Sequence, residues 1–97
     1  MQTRITARQC DAPEPLRLHI DTSIRSLGRF YDGIHDAHVI LATAPAQSKT
    51  AEVAIRVSRS TLTARDEAST HEAAVDACVR QLRRQVLRYK DKRRTRR

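Results

Sequence analysis

Arg80, Arg84 and Arg88 stand four residues apart, with Arg83 and Lys90 beside them. On a helix, residues four apart stack on one face, so the three arginines form a basic ridge. Each guanidinium is a planar fork that can grip a phosphate with two hydrogen bonds, and phosphate binding is the chemistry the ridge offers. Lys92 and Arg93 continue the charge. From Arg80 onward the chain holds ten basic residues against one acid, Asp91, a net of +9, while residues 1–79 hold nine basic and ten acidic residues. The whole excess of a 97-residue chain with net charge +8 therefore sits in its last fifth. Such an end calls for an anionic partner: nucleic acid, a membrane surface or an acidic protein. Part of the ridge has a structural use, because Arg and Lys are good helix formers and cations suit a helix C-terminus. Neutral residues would give the same helix without self-repulsion, which favours the phosphate reading. Neutralising roughly six phosphates would make log affinity fall with log salt at a slope of about −4 to −5.

Other chemistry is sparse. His35-Asp36-Ala37-His38 has donor types for a metal, but two histidines at the mouth of a strand read more simply as surface residues, and no metal is expected. The glycines, Gly28 and Gly33, form no phosphate-cradling loop, and Ser, His and Asp fall in no catalytic arrangement. The chain is read as a non-enzyme with no cofactor and no small-molecule substrate. Cys10 and Cys78 fit no metal spacing and are read as free thiols in a reducing compartment. Phe30, Tyr31 and Tyr89 are the only aromatics, and the core needs them. Stacking platforms for single-stranded bases are therefore missing, which leaves recognition by shape and phosphate.

The elements that must carry these residues follow from periodicity. Gln2–Gln9 alternates, with Ile5 and Ala7 on one side and Arg4, Thr6 and Arg8 on the other, as in a half-buried strand. Pro13 and Pro15 suit only a helix's first turn, and Leu16, Ile20, Ile24, Leu27 and Phe30 or Tyr31 form one stripe. Gly28 and Gly33 lie where a left-handed closing residue is often needed. Ala37–Thr43, Ala51–Ser58 and a segment beginning after Ser60 alternate in turn, predicting an antiparallel meander. Ser69 and Glu72 have capping-box spacing before a long helix with the stripe Val75, Cys78, Val79, Leu82, Val86 and Tyr89. Beyond Tyr89 only charge remains, predicting a disordered basic tail. The expected fold is α+β, ordered β-α-β-β-β-α, a four-stranded sheet with both helices on one face. The other face stays open and carries Arg4, Arg8, Arg56 and Arg65. The expected organisation is a single domain over residues 1–90 with the tail at 91–97. No stretch is apolar enough to span a membrane and the N-terminus lacks a signal-peptide core, so a cytoplasmic protein is expected.

These segments resemble the hibernation-promoting-factor and ribosome-associated-inhibitor family, the sigma-54 modulation proteins. The resemblance covers nearly the whole chain. It is carried by Ile5-Thr-Ala-Arg-Gln9, Leu16-Arg17, His19-Ile20, His38-Val-Ile-Leu41, Ala51-Glu52 with Ile55, Leu62 with Ala64, and Ala73-Ala-Val-Asp76. The most specific block is Leu82-Arg-Arg-Gln-Val86. The resemblance implies binding to the small ribosomal subunit and its rRNA, in the channel between head and body where messenger and transfer RNA would sit. It implies translation inhibition and ribosome protection under stress or in stationary phase. It also implies the short type, without the extra C-terminal domain that pairs ribosomes, monomeric away from the ribosome. Three positions depart from the family pattern. Thr70-His71-Glu72 stands for an Asp-hydrophobic-Tyr run, Ser60 for the hairpin glycine, and Pro13 for a Thr.

The residues expected to contact RNA are Arg4, Arg8, Arg80, Arg83, Arg84, Arg88, Lys90, Lys92 and Arg93. Two other functions fit a basic α+β domain: a general binder of double-stranded RNA, or a regulator whose basic tail meets an acidic protein. Double-stranded-RNA domains usually begin with a helix, and this chain begins with a strand.

Overall fold

The computed structural model describes residues 2–95, with side chains described through Asp91. The elements are β1 (Gln2–Ala7), α1 (Glu14–Phe30), β2 (Ile34–Thr43), β3 (Lys49–Val57), β4 (Ser60–Ala68) and α2 (His71–Thr95). The four strands form one sheet in the order β1-β2-β3-β4. Because α1 carries the chain back across the sheet, β1 pairs with β2 in parallel, whereas the short links of the meander make the other two pairings antiparallel. The expected architecture is the observed one.

Register aligns the apolar residues of neighbouring strands on one face. Ile5 pairs with Val39, Val39 with Val53 and Val53 with Ala64, a row running across all four strands. With Ala37, Leu41, Ala51, Ile55 and Val57 these residues meet Leu16, Ile20, Ile24 and Leu27 of α1 and Ala74, Val75, Cys78, Val79, Leu82 and Val86 of α2 in one core. Both helices therefore cover the same sheet face. The apolar stripes read from periodicity are buried as expected, with Phe30, Tyr31 and Tyr89 half-buried at the rim. Ala7, expected to face inward with Ile5, is exposed at the end of β1, beyond the reach of the helices.

Several local expectations are corrected. Neither glycine has positive φ; α1 closes on Tyr31 in extended backbone, whose N–H donates to Leu27 O at 2.9 Å. At Gly33 a Cβ would meet the outer end of the Tyr31 ring, so a side chain there would oblige that ring to move. The α2 cap is Thr70 and not Ser69: Thr70 Oγ1 accepts from Ala73 N at 3.1 Å, and Thr70 O accepts from Ala74 N at 3.1 Å. The hairpin between β3 and β4 is a two-residue turn, Ser58-Arg59, in which Arg59 takes the left-handed conformation with φ 68°. Finally, α2 continues as helix to Thr95, past the end expected at Tyr89. Residues 90–95 contain neither Gly nor Pro and are mostly Lys and Arg, so the intrinsic preference for helix persists after the apolar stripe has run out. Of the expected tail, residues 96–97 lie outside the described residues.

Candidate nucleic-acid interface

The ridge is built on a helix held along its length. At its start His71, buried, donates from Nε2 to Ala42 O of β2 at 2.9 Å. Along one flank Gln81 donates to Asp66 Oδ2 and Gln85 to Thr63 O, both at 2.9 Å, tying α2 to β4. Along the other, His19 Nε2 donates to Asp76 Oδ1 at 2.8 Å, joining α1 to α2, and Ser23 Oγ approaches the same oxygen at 3.4 Å. Near its end the Tyr89 hydroxyl donates to Ser58 O of the hairpin. These contacts fix how α2 is rotated, so Arg80, Arg84 and Arg88, set opposite or beside the buried stripe, all point outward and are exposed. None of the three has an ion-pair or hydrogen-bond partner among the described residues. Their charge is uncompensated locally and is available to an anion.

Arg83 and Lys90 differ. The Arg83 guanidinium lies 5.7 Å from the centre of the Phe30 ring, and the Lys90 ammonium lies 5.4 Å from Phe30 and 5.8 Å from Tyr31. Tyr31 in turn meets Tyr89 edge-on, with ring centres 6.0 Å apart. The end of α1 thus supplies an aromatic platform that orders two cations beside the ridge. Leu87, 45% exposed, sits among these cations on the outer surface of α2. The platform escapes sequence reasoning because it joins residues some fifty positions apart.

Arg4 and Arg8 are exposed too, but they belong to the sheet face that the helices leave open. The residues expected to contact RNA thus fall on two surfaces, as the placement of both helices on one sheet face implied. Arg80, Arg83, Arg84, Arg88 and Lys90 lie on the helix layer and Arg4 and Arg8 on the opposite side of the sheet. The side chains of Lys92 and Arg93 lie outside the described residues. The open face is also of mixed charge. Arg56 grips Asp36 Oδ2 through Nε at 3.0 Å and Nη2 at 2.6 Å, and these hydrogen bonds hold the Asp36 carboxyl below the usual carboxylate range.

Two of the other chemically suggestive residues, His38 and Cys78, are occupied structurally. His38 Nε2 and Thr6 Oγ1 share a 2.8 Å hydrogen bond across β1 and β2. Among the described residues no three His, Cys, Asp or Glu are grouped so as to hold a metal ion. Cys10 and Cys78 are both free. Cys78 is buried with its Sγ 3.3 Å from Ala51 O, and burial pushes its thiol up to about 11. Among the described residues no helix is long and apolar enough to cross a membrane.

A family model described as Sigma 54 modulation protein / S30EA ribosomal protein matches residues 3–94. The chain belongs to this family. Among curated relatives of this S30EA-family chain, the ribosome hibernation promoting factor of Azotobacter vinelandii is 30% identical over 92 residues, 95% of this chain and 85% of the relative. That of Escherichia coli K12 is 27% identical over 92 residues, 95% of this chain and 96% of the relative. In fold, the S30EA chain is similar to a ribosomal subunit interface protein from Coxiella burnetii, with TM-score 0.86 and 22% identity over 94% of this chain and 99% of the other. It is also similar to the N-terminal domain of Thermus thermophilus Protein Y, with TM-score 0.80 and 24% identity over 89% and 94% of the two chains. Within the S30EA frame, the departure at Thr70-His71-Glu72 acquires a structural account. Thr70 caps α2 and His71 braces it against β2, while Glu72 alone is an exposed charge.

Proposed function

We propose that this protein is a ribosome hibernation factor that binds the small subunit through its rRNA and occupies the channel used by messenger and transfer RNA. The kinship with hibernation promoting factors supports ribosome binding. The observation that carries the mode of binding is the row of outward, unpartnered arginines, Arg80, Arg84 and Arg88, on a helix braced at both ends and on both flanks. Rigid, pre-aimed cations lose little freedom when they meet a phosphate backbone, so the charge is converted efficiently into affinity. Arg83, Lys90, Lys92 and Arg93 extend this surface, and Arg4 and Arg8 serve as a secondary contact on the sheet side. The protein acts by occupancy and not by catalysis, needs no cofactor, and works in the cytoplasm as a monomer until it meets the ribosome. Residues 1–90 act as the binding domain, and the basic end at 91–97 adds long-range attraction.

Co-sedimentation with ribosomes on sucrose gradients tests this reading. One copy per small subunit is expected at low salt, with loss of binding as salt rises. Replacing Arg80, Arg84 and Arg88 together by Gln is expected to abolish co-migration at intermediate salt and leave the melting temperature unchanged. Co-migration by the triple variant equal to that of the parent chain would remove the ridge from the interface. Absence of the parent chain from every ribosomal fraction would overturn the function itself.

A further inference from the structure

The two surfaces approach each other at the end of the sheet closed by the β3–β4 hairpin. From the helix side, Arg88 reaches this end and lines an open recess of about 340 Å³ with Ser60, Leu62, Gln85 and Tyr89. From the sheet side, Arg56 reaches it and lines a neighbouring open recess of about 520 Å³ with His35, Ser58, Arg59, Ser60 and Thr61. Ser60 lines both recesses, so they adjoin at the edge of the molecule.

Two irregularities of the backbone converge on the larger recess. The β2–β3 register shifts between Ile34 and Asp36, a bulge that re-aims His35. Opposite it, Arg59 occupies a left-handed turn position that glycine fills with least strain, yet the chain keeps a cation there. The Arg56 charge is largely balanced by Asp36. Arg59 has no such counter-charge: its guanidinium and the hydroxyls of Ser58, Ser60 and Thr61 have no partner among the described residues, while the His35 ring interacts electrostatically with the neighbouring Asp36 carboxylate. The recess thus presents one free guanidinium, a second guanidinium held in place, three hydroxyls and an imidazole. This donor-rich set matches a phosphate oxyanion. The hairpin is not free to swing, because Ser58 O accepts from the Tyr89 hydroxyl, which fixes Arg59 relative to the ridge on α2.

We propose that the β3–β4 recess is a phosphate site for the same RNA that lies on the α2 ridge, with Arg59 as its principal contact. The backbone passes Arg88, enters the recess and turns toward the open sheet face, so that the two basic surfaces serve one continuous partner. This inference rests on the ribosome-binding reading.

The variant Arg59→Gly tests it, because glycine suits the turn and the fold should be at least as stable as before. Binding to purified small subunits is measured over a salt series for the parent chain, Arg59→Gly, Arg59→Lys and the Arg80/Arg84/Arg88→Gln triple variant. Arg59→Gly is expected to lose roughly fivefold to tenfold in affinity and to flatten the salt slope by about one unit, whereas Arg59→Lys keeps the slope. Parent-like affinity and slope for Arg59→Gly, with binding lost in the triple variant, would overturn the recess and leave the ridge standing. Undiminished binding by the triple variant would instead overturn the ridge. Inorganic phosphate titrated into the protein and followed by amide shifts separates a free anion from RNA. Saturable binding abolished by Arg59→Gly without any change in subunit affinity would make the occupant a free phosphoanion and overturn the RNA assignment.

Discussion

Phe30 looks from its position like the last, half-buried residue of an apolar stripe, yet its ring underlies two cations of the neighbouring helix. Each cation–π contact at a rim site is worth roughly 0.5–1 kcal/mol, enough to bias the rotamers of long side chains. Phe30→Leu should therefore lower ribosome affinity about twofold to threefold while leaving the salt slope intact, since the charges remain and only their ordering is lost. Phe30→Tyr should restore it, and equilibrium binding at fixed salt checks both. Cys78 makes a different residue-scale prediction. With its thiol buried and pushed up to about 11, it should resist alkylation near pH 8 until the protein unfolds, while half-buried Cys10 labels first. Mass spectrometry of each cysteine-bearing peptide over a time course decides this, and equal labelling rates would contradict the burial. The sequence allowed both cysteines to be read as free thiols and put Cys78 on the buried stripe of α2; the contact of its sulfur with Ala51 O is what only the packing supplies.

At the scale of elements, α2 shows what periodicity can and cannot reveal. The stripe Val75, Cys78, Val79, Leu82, Val86 is legible because burial on one helical face imposes a period of 3.6. Leu82, fully buried, should cost about 2–5 kcal/mol when truncated to Ala, measured by denaturant unfolding. The helix start was misplaced by one residue because Ser69 and Thr70 are both good caps, and Glu72 sits at capping-box spacing only from Ser69. Thr70→Ala is accordingly expected to destabilise by about 0.5–2 kcal/mol and Ser69→Ala by much less, read as a difference in melting temperature. The lateral braces from His71, Gln81, Gln85 and Tyr89 were not legible at all. Their partners are Ala42 O, the Asp66 carboxylate, Thr63 O and Ser58 O, and which groups meet is fixed by strand register and helix packing, not by local sequence.

At the scale of the molecule, the element order and the layer arrangement were readable because every segment's pattern agreed with the same solution. The division of the basic residues was readable too, because covering one sheet face with both helices leaves Arg4 and Arg8 on the open face, away from Arg80. What the sequence did not show is the pairing of Arg56 with Asp36, which gives that open face its mixed charge. The charge placement carries a consequence for timing. Glu72 and Asp76 stand in the first turns of α2, and every charge from Arg80 to Lys90 is positive, a separation that complements the backbone dipole of the helix and, being of whole charges, outweighs it. A body measuring 47 × 24 × 18 Å with its charge so separated feels a torque in the field of a polyanion before any atom touches. It should arrive already turned, ridge first, so few encounters are spent on wrong faces. Added salt should then act mainly by slowing capture, leaving the lifetime of the formed complex comparatively unaffected. A cell that raises its ionic strength would delay the parking of its ribosomes more than it would hasten their release.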